Sequence, residues 1–496
     1  MRPRFRPIDG QSAPSVLPLQ RQTALALLLI ISAVLVGMAF LAWSLMDGTA
    51  SGAPVSAWLI NLATTVFVAS SAWNQCLASS RRGLQPSPIG SAVFAPLVLM
   101  TVTFPAASLV WRARTANVEK LTRTELATPE ALTFALLLFS ASLIAFWCGE
   151  RVLKPRWSSP VTLSSGAPPR WRGAQLILIF IGLASSISQL GGDRTVEFSE
   201  RGTQEGQGLL VLAWWCLPLG IAIGFLFSHW DSKFRIVLSL IGIAMIVNSG
   251  VRSPLLLIAI AFIPRLVSTI ARSRRPFRTW TAAIMGSYLL VAVGGAISVW
   301  RGSIRYGNPV TFGAALYNAC LDPLKALTSS GIDTVDGLLL VYSLPTNIID
   351  ANLTDLFKVV QTAIPSQFYP NKPEFISNII SHELLGYGAA GMFMSGPGYL
   401  IMIGGSWLAA IVIFFLGGII FRQLAGRRVG GVAWLILTYT LIRFVMGGDA
   451  FDFYQGLTLV CISVTSLFAA KCARLVSARL RRADLKAGER MEFSLD

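Results

Sequence analysis

Runs of about 17–25 mostly apolar residues, each long enough for a membrane helix, follow one another along most of this chain. "ALALLLIISAVLVGMAFLAW" starts at residue 24, "LTFALLLFSASLIAFW" at 132 and "WLAAIVIFFLGGIIF" at 407. A backbone in hydrocarbon must satisfy its own N–H and C=O groups, so each run reads as a helix. The composition leaves little room for a soluble fold: 54% of the 496 residues are hydrophobic, 13% are charged and the mean hydropathy is +0.62. The fold class expected is all-α, a polytopic transmembrane helix bundle.

Twelve spans are predicted, at 23–45, 55–73, 91–111, 130–149, 173–190, 208–228, 235–250, 254–270, 280–300, 396–420, 431–446 and 457–472. The first run follows a basic arm and lacks an A-x-A cleavage site, so it reads as a retained helix and not a signal peptide. Of the 41 lysines and arginines, 27 fall in one set of loops and helix ends, 12 in the other set, and two, Arg265 and Arg443, within spans. Basic residues accumulate in cytoplasmic loops. Residues 1–22 are therefore expected to be a cytoplasmic basic arm, 23–472 the membrane domain and 473–496 a cytoplasmic basic tail. The net charge of +17 has the same origin and does not point to nucleic acid. Six scattered cysteines, with no C-x-x-C and no H-E-x-x-H, suggest neither a disulfide framework nor a metal site.

The outer side carries one large feature, a loop of about 95 residues at 301–395. It contains helix-like apolar segments, "TFGAALYNACLDPLKAL", "DTVDGLLLVYSL" and "LTDLFKVVQTAIP". A loop this long is usually functional or disordered. These segments favour a partly helical cap folded against the bundle. "NSGVRSPLLLIAI" places Arg252 between Gly250 and Pro254, which favours a turn at the outer ends of two helices over one long helix.

The outward ionisable groups suggest chemistry. Arg252 lies in that turn. Arg301 and Arg305 open the long loop, and Lys372 and the His382–Glu383 pair lie farther along it. Arg194 and Arg201, with Glu197 and Glu200, occupy a smaller loop, and Asp449 and Asp452 lie in "GGDAFDF". Guanidinium groups fit phosphate through a planar fork of donors. Several arginines beside a bilayer, with a carboxylate or histidine to take a proton, suit a lipid-linked diphosphate. Each residue also has a plainer reading: an interfacial arginine that snorkels to water, a loop ion pair, a rigid turn or a helix cap. No Walker-type sequence is present, so ATP-driven action is not supported.

"NSGVRSPLLLIAI", "AIPSQFYPNKPEFISNIISHELLGYGAAGMFMSGPGYL" and "LIRFVMGGDAFDF" resemble three segments of bacterial O-antigen polymerases, the Wzy-type oligosaccharide repeat-unit polymerases. These are the turn between two central helices, the proline-rich long-loop segment and the late R(G)D segment. The likeness covers about 240–455. The family's Gly-Glu stands here as His382–Glu383, and its arginine-glycine-aspartate as Gly447–Gly448–Asp449.

The resemblance implies a GT-C-like glycosyltransferase of the bacterial cytoplasmic membrane, needing no nucleotide sugar, metal or cofactor. Its substrates would be undecaprenyl-diphosphate-linked glycans. An acceptor hydroxyl would attack the donor's anomeric carbon, and undecaprenyl diphosphate would leave. Arg252, Arg301, Arg305, Lys372, Arg194 and Arg201 would bind diphosphate and glycan, and Glu383, His382 or Asp449 would act catalytically. Membrane lipids, a chain-length regulator and a flippase of the same pathway would be partners. Three alternatives remain at this point: an O-antigen ligase, a transporter or flippase of lipid-linked oligosaccharide, and a non-catalytic assembly subunit.

Overall fold

The structure is a computed structural model. It describes residues 53–81, 89–110, 128–152, 169–188, 208–227, 233–249, 253–273, positions scattered through 281–303, 310–321, 334–343, short pieces at 354–355, 361 and 376–379, and then 394–425, 430–448 and 450–492. Among the described residues all regular structure is helical. In chain order the helices of seven residues or more are α1 (Ala53–Arg81), α2 (Ile89–Val98), α3 (Phe104–Val110), α4 (Pro129–Val152), α5 (Pro169–Ser188), α6 (Gly208–Phe227), α7 (Lys233–Asn248), α8 (Ser253–Arg272), α9 (Phe312–Leu321), α10 (Thr334–Ser343), α11 (Gly396–Gly404), α12 (Trp407–Ala425), α13 (Gly430–Gly447) and α14 (Ala450–Glu492). Ala53–Ser80, Gly90–Ala107, Pro129–Val152 and Asp452–Ala478 are long and apolar enough to cross a membrane, and six described helices are apolar but shorter.

Side-chain meetings fix the relative directions of several helices. Asn61 of α1 meets Leu136 and Ser140 of α4, and Ser71 meets Arg151, so α1 and α4 run parallel. Trp171, early in α5, stacks on Phe227 at the end of α6, so that pair is antiparallel. α4 and α12 run parallel and touch backbone to backbone. A Cβ on Gly149 would lie 2.1 Å from the Phe415 carbonyl oxygen, and one on Gly418 would lie 2.2 Å from that of Phe146. Only glycines permit that approach. Above the contact the helices diverge, leaving a groove of about 470 Å³ lined by Ala141, Ile144, Ala145, Ile411, Val412 and Phe415.

Two polar devices tie this part of the bundle together. Leu99–Thr103, between α2 and α3, winds as a π-helix that turns Thr103 inward. The Thr103 hydroxyl donates to Asn61 Oδ1 at 2.6 Å. The Asn61 amide donates to the Leu136 carbonyl at 3.1 Å and to Ser140 Oγ at 3.0 Å. The buried amide is thereby satisfied on both sides, which a low-dielectric interior demands. At the other device, Glu150, 3% exposed, accepts from the backbone N–H groups of Gly90 and Ser91 at 3.1 and 2.8 Å and from the Ser91 hydroxyl. A carboxylate at the start of α2 satisfies orphan donors and complements the helix dipole.

Several expected boundaries shift. The break between α7 and α8 falls where Gly250 and Pro254 placed it. The expected span 396–420 is interrupted: α11 ends at Gly404, capped by Gly405 with φ +64°, and a new helix, α12, starts at Trp407. The last helix runs for 43 residues, through Glu492, and so absorbs most of the expected tail. Two of the three helix-like loop segments contain helices, α9 and α10. α10 packs into the main core through Val335, Leu338, Leu339 and Leu340, with Tyr342 5.2 Å from Phe134 of α4. The third, "LTDLFKVVQTAIP", is described only at Thr354, Asp355 and Gln361.

Candidate functional site

Parts of the three segments that carry the sequence resemblance lie on or beside one helical hairpin. α13 and α14 form an antiparallel hairpin around Gly447 and Gly448. In such a hairpin, residues equally far from the turn face each other. Arg443 and Asp452 do so, with Arg443 Nη2 3.0 Å from Asp452 Oδ1. Asp452 is buried at 2% side-chain exposure and Arg443 at 17%. Four residues below Arg443, the Tyr439 hydroxyl donates to Gln455 Oε1 at 3.0 Å. It also lies close to the side chain of Ser253, the first residue of α8. The start of the turn-following helix thus lies against α13.

The segment before α11 closes the other side. The Met394 N–H donates to the Gly447 carbonyl at 3.1 Å, and the Gly448 N–H donates to the Phe444 carbonyl at 2.8 Å. Gly448 has φ +66° and lies so close to Ser395 that a Cβ there would fall 2.0 Å from the Ser395 carbonyl group. Ser395 itself has φ 65° and ψ 154°, a region essentially reserved for glycine. Its side chain accepts from the Gly398 N–H at 3.4 Å and its carbonyl from the Tyr399 N–H at 2.9 Å. Phe444 seats the assembly between Tyr399 at 6.1 Å and Phe453 at 4.7 Å. A strained, fully buried serine held against a positive-φ glycine is the sort of geometry that clusters at binding and catalytic sites.

Chemically, the junction offers an anchored cation. Asp452, in the first turn of α14, complements that helix's dipole and holds the guanidinium in one orientation. Among the described residues Arg443 Nε, itself buried, has no hydrogen-bond partner. Tyr439 and Gln455 add a hydroxyl and an amide one helical turn away.

The residues proposed from the sequence, Arg252, Arg301, Arg305, Lys372, Arg194, Arg201, Glu383, His382 and Asp449, all lie outside the described residues. Their neighbours in sequence are informative for two. Ser253, which follows Arg252, and Gly448 and Ala450, which flank Asp449, belong to this junction or border it. In the sequence Arg443 reads as merely within a span, and Asp449, not Asp452, as the candidate carboxylate. The symmetry of Arg443 and Asp452 about the two glycines was the signal available. Comparison with family models, curated proteins and solved structures found no match.

Proposed function

We propose that the chain is a GT-C-type glycosyltransferase with about 12 membrane spans and both termini in the bacterial cytoplasm. It joins undecaprenyl-diphosphate-linked oligosaccharide repeat units into O-antigen or exopolysaccharide at the outer face of the cytoplasmic membrane. The observation that carries this reading is the meeting of three segments far apart in the chain. The helix that follows the "NSGVRSP" turn begins beside Tyr439 of α13, and the end of the long loop at Met394–Gly398 packs on the "RFVMGGDAFD" hairpin. They are the segments on which the resemblance to repeat-unit polymerases rests. A functional site built from distant segments is what a polymerase reading requires of them.

In this reading the arginines hold the diphosphate of the donor. Arg443, oriented by Asp452, adds to Arg252, Arg301 and Arg305 in balancing the charge that grows on the leaving group. Glu383, His382 or Asp449 takes the proton from the acceptor hydroxyl. Preorganised donors aimed at developing charge are commonly the largest single contribution to such a reaction.

The test is the glycan that remains after the gene is deleted. A polymerase is expected to leave single repeat units on the surface lipid. Long unattached chains on undecaprenyl diphosphate would instead mean a ligase. Repeat units accumulating on the cytoplasmic side would mean a flippase. Either result overturns the proposal.

A further inference from the structure

Helix α9 belongs by sequence to the long outer loop, yet its contacts tie it along the preceding span. Trp300 lies 5.9 Å from Phe312, ring centre to ring centre, in an edge-on contact. At the other end of α9, the Tyr288 hydroxyl donates to the Cys320 carbonyl. Between them Ala292 and Ala296 share a small core with Ala315 and Ala319. The pairs 300 with 312 and 288 with 320 leave only one register: α9 runs antiparallel to residues 288–300. The turn is closed at its base, where Ser303 Oγ accepts from the Val310 N–H at 3.0 Å.

The depth follows from helix geometry. Nine residues separate Phe312, beside Trp300, from Leu321, about 13 Å at the helical rise. The hydrocarbon core of a bilayer is about 30 Å thick. If the apolar run 280–300 crosses the membrane and Trp300 marks its outer edge, the end of α9 lies near the middle.

Two further observations fit that depth. Tyr317 and Leu321 on α9 are 66% and 68% exposed, and Leu289 beside them on the span is 51% exposed. Large apolar groups so exposed suit hydrocarbon. Moreover, the last carbonyls of a helix have no partner within it. Water would serve them at an aqueous site, but in lipid each unmet group costs several kcal/mol. Tyr288 supplies a donor at that point. The outer end of α9 has its own cap, with Thr311 Oγ1 accepting from the Ala314 N–H at 3.3 Å.

We infer that Phe312–Leu321 is a re-entrant membrane helix, entering from the outer face and presenting Tyr317 and Leu321 to lipid chains. This revises the extracytoplasmic placement of these ten residues. It rests on the membrane reading of the chain but on none of the proposed chemistry.

The test uses the full chain in liposomes, with the native cysteines replaced and a single bimane-labelled cysteine at Tyr317→Cys. Lipids carrying a nitroxide at carbon 12 should quench the label more than lipids carrying it at carbon 5. A label at Thr311→Cys should show the reverse. Val464→Cys on α14 is the control for membrane insertion: quenching there but not at residue 317 overturns the re-entrant helix alone, and loss at both overturns the membrane reading. Labelling of residue 317 by an impermeant maleimide from outside also overturns the inference. Should the cysteine replacements disturb folding, the unmodified chain in liposomes containing a mid-chain diazirine lipid gives the same answer. Adducts at Tyr317 or Leu321 are expected, and their absence, with adducts present on α14, counts against it.

Discussion

Arg443 and Asp452 stand 3.0 Å apart across the α13–α14 hairpin, one on each side of Gly447 and Gly448. A buried ion pair contributes little net stability, because desolvation offsets the attraction, but removing one partner strands a charge and typically costs about 3–5 kcal/mol. Asp452→Ala should therefore lower the unfolding temperature of the purified protein more than the double variant Arg443→Leu/Asp452→Leu does. Equal losses from both would show that the two side chains do not depend on each other.

Arg443 should also matter for turnover. Arg443→Lys keeps a positive charge but lacks the planar fork that meets Asp452 and that, on the proposed function, would also meet a phosphate. Loss of one preorganised donor costs roughly 100- to 1,000-fold in rate. Long-chain polymer should disappear in the Arg443→Lys strain while the protein still accumulates in the membrane. Normal chain-length ladders would remove Arg443 from the chemistry and leave it a structural residue.

Arg252 is open to the same comparison at a different position. An interfacial arginine that only snorkels tolerates lysine, and a diphosphate clamp does not. Both Arg252→Lys and Arg252→Ala should abolish long polymer without loss of protein. A lysine variant that makes polymer of normal length would mark this arginine as an anchor.

Gly448 tests the crossing at Ser395. With φ +66° and a prospective Cβ 2.0 Å from the Ser395 carbonyl, an alanine there must displace backbone, not a flexible side chain. Gly448→Ala should sharply reduce the folded protein recovered in detergent. Gly294→Ala, where nothing lies within 4 Å of the added carbon, should be close to neutral. Similar yields from the two variants would contradict the close approach.

The membrane sidedness has its own test. A cysteine placed at Ser330, in the long loop, should react with an impermeant reagent added to intact cells, as the distribution of basic residues requires. Labelling only after lysis would invert the topology.

What the sequence determined was the class of structure and much of its segmentation. Apolar length is a local property, so helices such as α4 and α6 can be read from a window of about 20 residues. The α7–α8 break could be read too, because Gly250 and Pro254 act on their own backbone. So could helices in the long loop, since α9 and α10 carry their apolar residues within ten positions.

What only tertiary structure decided was which residues meet. Arg443 in an apolar run looks the same in sequence whether it faces lipid or Asp452. The pairing depends on a hairpin whose register is set by Gly447 and Gly448. The contact of Ser253 with Tyr439, and of Ser395 with Gly448, joins residues that are 186 and 53 positions apart. Such contacts reflect helix packing, where close backbone approach and buried hydrogen bonds select one arrangement among many of equal hydropathy. The return of α9 along its span is the same kind of fact. Its residues are apolar enough for many courses, and the bonds Tyr288 and Ser303 make set its antiparallel run along residues 288–300.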